Sequence, residues 1–194
     1  MNRKVQESDL AASAGDTRKT KRRHEPAFSF DEPETQGIAP VPYWLMKSEP
    51  DEFSIDDLAA APGRKTAWSG VRNYQARNFM RDSMRIGDQV FFYHSSCPEP
   101  GIAGIAEIVS EPYHDASQFD ASSPYFDPAS RRDAPRWFNV EVRFVRKTRL
   151  VGLGELRGCA KLSGMRLLAP GNRLSITPVG AREWNFIARR LMKI

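Results

Sequence analysis

The large apolar residues of this 194-residue chain fall on one side of a sharp break. Residues 1–40 are poor in them, with Phe28, Phe30 and Ile38 standing isolated, and the first cluster is Tyr43-Trp44-Leu45-Met46. A segment that cannot bury enough apolar surface to offset its chain entropy stays disordered. The break therefore predicts a disordered tail over 1–40 and an ordered domain over 42–194, of ordinary single-core size. Hydrophobic residues make up 40% of the chain, enough for a core without disulfides or metals.

The tail carries seven bases and seven acids, split into a basic patch, Arg18 to His24, and an acidic stretch, Glu25 to Glu34. The basic run reads as a nuclear-import or nucleic-acid-touching patch, or as a plain solubilising extension. The second is preferred, because short basic runs are common. With the tail neutral, the formal net charge of +5 belongs to residues 41–194, and residues 131–194 alone hold 15 bases against 4 acids. A basic C-terminal third points to an anionic partner. No apolar run approaches the ~20 residues that span a bilayer, and the N-terminus lacks the apolar region of a secretory signal. No membrane partner is expected. Only Cys97 and Cys159 are present, which suits a reducing interior rather than a secreted disulfide scaffold.

Periodicity supplies the elements. Tyr43 to Met46 reads as a buried strand. Ser54 and Asp57 are spaced for a capping box opening a short helix that ends before Pro62-Gly63. Asn73 can cap a helix over Tyr74 to Met84, with Ala76, Phe79, Met80 and Met84 on one face. Strands follow over Gln89 to Ser95 and Gly101 to Val109, the second with glycines suited to close backbone approach. Residues 110–136 form a long proline-punctuated loop, a length that marks a functional flap more often than a simple connection. Phe138, Val140, Val142 and Phe144 alternate with Asn139, Glu141 and Arg143, a half-buried strand with one wet face. A short helix at Leu153 to Cys159, a last strand at Arg173 to Thr177 and a closing helix at Arg182 to Met192 complete the chain. Four or five strands with a few short helices predict an α+β domain on a small curved sheet or barrel.

The densest chemistry lies in Trp68-Ser69-Gly70-Val71-Arg72-Asn73-Tyr74-Gln75-Ala76-Arg77-Asn78, a loop running into a helix start. Aromatic faces stack on a planar ligand, amides read its edge and guanidinium groups hold phosphate. The plain alternative is that Trp68 and Tyr74 pack inward while Arg77 and Arg81 are solvated. Lys47-Ser48-Glu49-Pro50, at the end of the first strand, reads as a second site element or as a turn with a local ion pair. His94 shares a strand face with Val90 and Phe92 and reads as a core histidine. His94, His114 and Cys97 lack zinc-site spacing, and no hydrolase, P-loop or dinucleotide motif is present. No metal, cofactor or catalytic residue is expected.

In order, Tyr43–Pro50, Trp68–Arg81, Phe91-Phe92-Tyr93-His94-Ser95, Pro100–Gly104, Trp137-Phe138-Asn139-Val140 and Arg173-Leu174-Ser175-Ile176 resemble the EVE domain family, over residues 43–192. The resemblance implies a PUA-like mixed β pseudo-barrel with peripheral helices. It also implies distant kinship with YTH domains and a non-catalytic reader of a modified base in nucleic acid, with modified cytosine in DNA foremost. Carried over, it places the pocket at Lys47, Ser48, Trp68, Gly70, Val71, Asn73, Tyr74 and His94, with Trp137 as a second cage wall. Trp68 with Trp137 or Tyr74 would sandwich the base, and Arg72, Arg77, Arg81 and Arg143 would hold the backbone. Such a protein is expected in the cytoplasm with the nucleoid in a bacterium, or in the nucleus of a eukaryote. Two rivals remain at this point: an enzyme processing a modified nucleoside or other small molecule through His94 and Ser48, and a protein-interaction module using loop 110–136.

Overall fold

The structure is a computed structural model that describes residues 43–194. The expected tail, 1–40, with its basic patch, lies outside the described residues. Eight strands form among them: β1 (Tyr43–Ser48), β2 (Lys65–Ala67), β3 (Gln89–His94), β4 (Gly101–Ile108), β5 (Tyr113–His114), β6 (Phe138–Asn139), β7 (Glu141–Gly152) and β8 (Ile176–Val179). Six of them make one mixed sheet in the order β2-β7-β4-β3-β1-β8, in which only β1 and β3 run parallel. β5 and β6 pair separately as an antiparallel ribbon.

Both faces of the sheet are buried, so its central strands read as nearly continuous apolar runs. On one face Trp44 and Met46 of β1 join Val90 and Phe92 of β3 and Val142 of β7 in a core that also receives Trp68. On the other, Leu45, Phe91, Tyr93 and Ile102 pack with Val151 and Trp184. The sheet curls as a pseudo-barrel: Trp68, just past edge strand β2, meets Phe92 of β3 edge to face, ring centroids 5.5 Å apart. Register shifts between β4 and β7, near Ala103 and Ile105, provide the bending that such closure needs. Gly104 answers the expectation of close approach, since a Cβ there would lie 2.5 Å from the Arg146 carbonyl and 2.8 Å from Ile55.

Four short helices border the sheet: α1 (Ile55–Ala60), α2 (Tyr74–Asn78), α3 (Leu153–Gly158) and α4 (Ala181–Phe186). The capping box of α1 forms as expected: Ser54 Oγ accepts from the Asp57 amide, and the Asp57 carboxylate accepts from the Ser54 amide. α2 and α4 each continue into a wider helical turn, over Phe79–Ser83 and Ile187–Met192. The helices expected over Tyr74 to Met84 and Arg182 to Met192 are thus continuous but change pitch midway.

Four expectations need correction, beginning with the number of strands, eight among the described residues where four or five were expected. Strands β2, β5 and β6 are two or three residues long, too short for a periodic signal. The strand read over Phe138 to Phe144 is interrupted at Val140, and β7 runs on to Gly152. Asn139, placed on the wet face, is buried with its side-chain oxygen unpartnered. The last strand lies at Ile176–Val179, later than Arg173 to Thr177, and includes Pro178, which an edge strand tolerates.

Candidate functional site

The C-terminal ends of β1 and β3 and the loop entering α2 surround a cavity of about 710 Å³, a volume in the range of small-ligand sites. β1 supplies Lys47 and Ser48, and the loop supplies Trp68, Gly70, Val71, Arg72 and Asn73. Glu49, Glu52 and Phe53 close one side, and Arg173 and Ser175 another. The structure therefore brings two sequence blocks about twenty residues apart to one concave surface.

The loop is held by a buried carboxylate. Asp115 accepts from Arg72 Nη1 at 2.7 Å, from the Gly70 amide at 3.0 Å and from the Ser117 amide and hydroxyl. Burial alone would raise its pKa, but hydrogen bonds from Ser117, Arg72 and Gly70 together outweigh it and hold the carboxyl below the usual aspartate value. Arg72 also donates through Nε and Nη2 to the Tyr125 carbonyl. Its guanidinium is thus engaged in fixing segment 110–137 against the loop. Gln118 pins the same segment, donating to the carbonyls of Asp115 and Trp137 and accepting from the amides of Arg136 and Trp137.

That clamp delivers Tyr125 to the cavity wall, a residue the sequence reading did not name. Its ring lies against Gly70, where a Cβ would come within 2.7 Å of it, and Gly70 itself has φ +79°. No side chain fits there. The available signal was Tyr125-Phe126, two adjacent aromatics in the 110–136 loop expected to be a flap.

Several polar groups on the wall are partly committed. Ser48 Oγ donates to the Phe53 carbonyl at 2.7 Å and keeps its capacity to accept. Asn73 Oδ1 caps α2 by accepting from the amides of Gln75 and Ala76, which leaves its NH₂ to donate. Lys47 is half-buried, and desolvation depresses its pKa. Its ammonium meets no carboxylate partner among the described residues.

Other candidates sit elsewhere. Trp137 is buried, donates its indole N–H to Asp127 at 2.7 Å and stacks on Tyr74 at 4.9 Å. These two aromatics pair with each other, outside the cavity lining. His94 does not line the cavity; its Nε2 accepts from the Ile55 amide at 3.1 Å, at the start of α1. That bond needs the neutral ring, and burial lowers the histidine pKa accordingly. His94 and Ser48 are register neighbours on β3 and β1, yet each is tied to a different backbone group. The expected backbone cations are internally engaged as well. Arg77 donates to the Arg136 carbonyl, Arg81 pairs with Asp82, and Arg143 pairs with Glu107.

A small curled mixed sheet with a cavity at its strand ends is the PUA-like arrangement, and the comparisons place it. The family model for the EVE domain matches residues 42–190. Thymocyte nuclear protein 1 of Homo sapiens is 46% identical over 162 residues, covering 75% of this chain and 72% of that protein. A Pseudomonas syringae protein of solved structure is 50% identical, with a TM-score of 0.72 over 75% of this chain and 97% of its own. The human THYN1 protein, solved in complex with 5-methylcytosine containing DNA, is 45% identical, with a TM-score of 0.72 over 75% and 95%. The chain belongs to the EVE domain family.

Proposed function

We propose that this protein is a non-catalytic reader of DNA that takes a modified cytosine into the cavity at the ends of β1 and β3. The observation that carries the reading is the convergence of Lys47, Ser48, Trp68 and Asn73 on one cavity. It stands in a chain 45% identical to a protein solved with 5-methylcytosine containing DNA. A cytosine edge offers an amino donor beside ring and carbonyl acceptors. Ser48 Oγ, with the carboxylates of Glu49 and Glu52, supplies acceptors, and the Asn73 NH₂ supplies a donor. Trp68 and Tyr125 give aromatic wall, with Tyr125 in the role the sequence assigned to Trp137. Val71 and Phe53 offer apolar surface to a methyl group. Extruding the base costs a few kcal/mol, which stacking at about 1–3 kcal/mol per base helps to offset.

The relatives named for the nucleus support a nuclear setting if the source is a eukaryote. Binding of matched oligonucleotides with 5-methylcytosine or cytosine tests the reading. The methylated duplex should bind more tightly, and Tyr125→Ala should erase the difference while leaving the fold intact, since Tyr125 is 37% exposed. Equal binding of both duplexes by the unaltered protein sinks the proposal. Retained preference in Tyr125→Ala and in Asn73→Ala alike removes this cavity as the reading site.

A further inference from the structure

Adjoining the first cavity at Lys47 and Arg173 lies a second, of about 490 Å³. Lys47 and Arg173 line both spaces. The second is completed by Tyr93, Arg157 and the turn from Leu167 to Asn172. Each lining holds three cationic side chains, but the first also holds Glu49 and Glu52, whereas the second has no carboxylate.

None of the three cations is neutralised from within the described residues. Lys47, Arg157 and Arg173 make no ion pair and no side-chain hydrogen bond there, in contrast to Arg72, Arg81, Arg143 and Arg149. Lys47 and Tyr93 are register neighbours on β1 and β3, so their side chains project from the same face of the sheet. Tyr93 is 3% exposed, and among the described residues its hydroxyl has no hydrogen-bond partner and is not sealed from solvent. The hydroxyl therefore opens into the cavity it lines. Burial and then the Cys97 thiol raise the phenol pKa, and the Arg157 cation, which lines the same cavity, opposes that rise. The turn is also built to present Arg173: Gly171 takes φ +72°, and Asn172 bonds the Arg166 carbonyl and the Leu174 amide. Three unpaired cations and a phenolic donor around a hollow without acids form a site for a compact oxyanion.

We infer that this second cavity seats a backbone phosphate adjoining the nucleotide whose base enters the first, with Arg157, Arg173, Lys47 and the Tyr93 hydroxyl as its donors. The inference rests on the base-reading proposal for its ligand source. A free phosphate would satisfy the same chemistry. The shared wall favours the backbone, because a nucleotide held through its base in one cavity carries its phosphate a short reach away.

The test uses the full chain and fluorescence anisotropy with a 5-methylcytosine duplex and its unmodified twin, each across a salt series. Arg157→Gln should weaken both duplexes about tenfold, as loss of one charge-assisted contact does. It should also lower the salt slope by about one and leave the preference for methylcytosine unchanged. Tyr93→Phe should weaken both by about threefold with no change of slope, as loss of a neutral donor does. Arg182→Gln, which lines neither cavity, controls for a general loss of charge. Equal effects of Arg157→Gln and Arg182→Gln overturn the phosphate site, and a methyl preference that survives then leaves the base reading standing. If the unaltered protein shows no methyl preference, the base reading falls, and Arg157 against Arg182 still decides the phosphate site. Inorganic phosphate titrated into the DNA-free protein, followed by amide shifts at Leu168, Ala169 and Gly171 to Arg173, separates the sources. Saturation by phosphate with no Arg157→Gln effect on DNA overturns the backbone assignment in favour of a free anion.

Discussion

Phe92 of β3 and Gln118 of segment 110–137 are equally inaccessible to water, both at 0% exposure, but opposite forces hold them. Phe92 is fixed by apolar neighbours on a sheet buried on both faces. Gln118 is fixed by hydrogen bonds to backbone groups of its own segment and to Ser130. The first arrangement is non-directional and insensitive to charge, and the second fails if one partner is lost. The cavity stands at the seam: its floor belongs to the sheet, and its Tyr125 wall belongs to the hydrogen-bonded segment. A rigid floor with a polar, separately stabilised wall lets the wall yield to conditions that leave the sheet untouched.

Phe92→Ala should have the largest effect. Emptying a fully buried phenylalanine site costs about 3–5 kcal/mol, and urea unfolding should show the loss as one cooperative transition. A loss confined to segment 110–137 would mean the sheet is not the stability core. Gln118→Leu keeps the volume but orphans the Trp137 amide, at about 1–3 kcal/mol, while the Arg136 amide and the Asp115 and Trp137 carbonyls keep a second partner. Hydrogen exchange should accelerate over 113–137 while the amides of β1, β3 and β4 stay protected. Uniform acceleration would erase the distinction between the two regions.

Acid should separate them more gently. Asp115 has a depressed pKa in the folded state, so its contribution is full above the ordinary aspartate value of 3.8 and is lost as pH falls through the folded value. The Gly70 amide resonance should titrate below 3.8, with the sheet resonances unmoved. An inflection above that value would mean the clamp does not exist in solution. Arg143→Gln should do least. Its partner is Glu107 and its side chain is 51% exposed, so the change belongs in the range of about 0–1 kcal/mol for surface pairs. A larger loss in thermal unfolding would move that pair from the surface into the sheet's support.

The same division decided what could be foreseen from residue order. β1, β3 and β4 announced themselves because apolar runs between turn residues carry their own signal, and Ser54, Asp57 and Asn73 announced the starts of α1 and α2 through cap chemistry. Lys47, Ser48 and the Trp68–Asn73 loop were legible as polar or aromatic clusters at element ends. Trp137 and Tyr74 stack on each other outside the cavity lining, an arrangement that depends on Asp127 and on the course of segment 110–137, which no periodicity encodes. Arg72 read as a phosphate ligand because a guanidinium looks the same in sequence whether Asp115 waits for it or solvent does. The second cavity was invisible for a related reason, since Tyr93, Arg157 and Arg173 meet only through the fold.

The bare Cα of Gly70 beneath the Tyr125 ring sets the width of the first cavity by what is missing. A single methyl group at position 70 would evict the ring, so the two positions act as one dimension of the binding site. Across related chains, glycine at 70 and a flat ring at 125 should be inherited together. Where the glycine is replaced, the ring should give way to something smaller, and the preferred ligand should change in size with it.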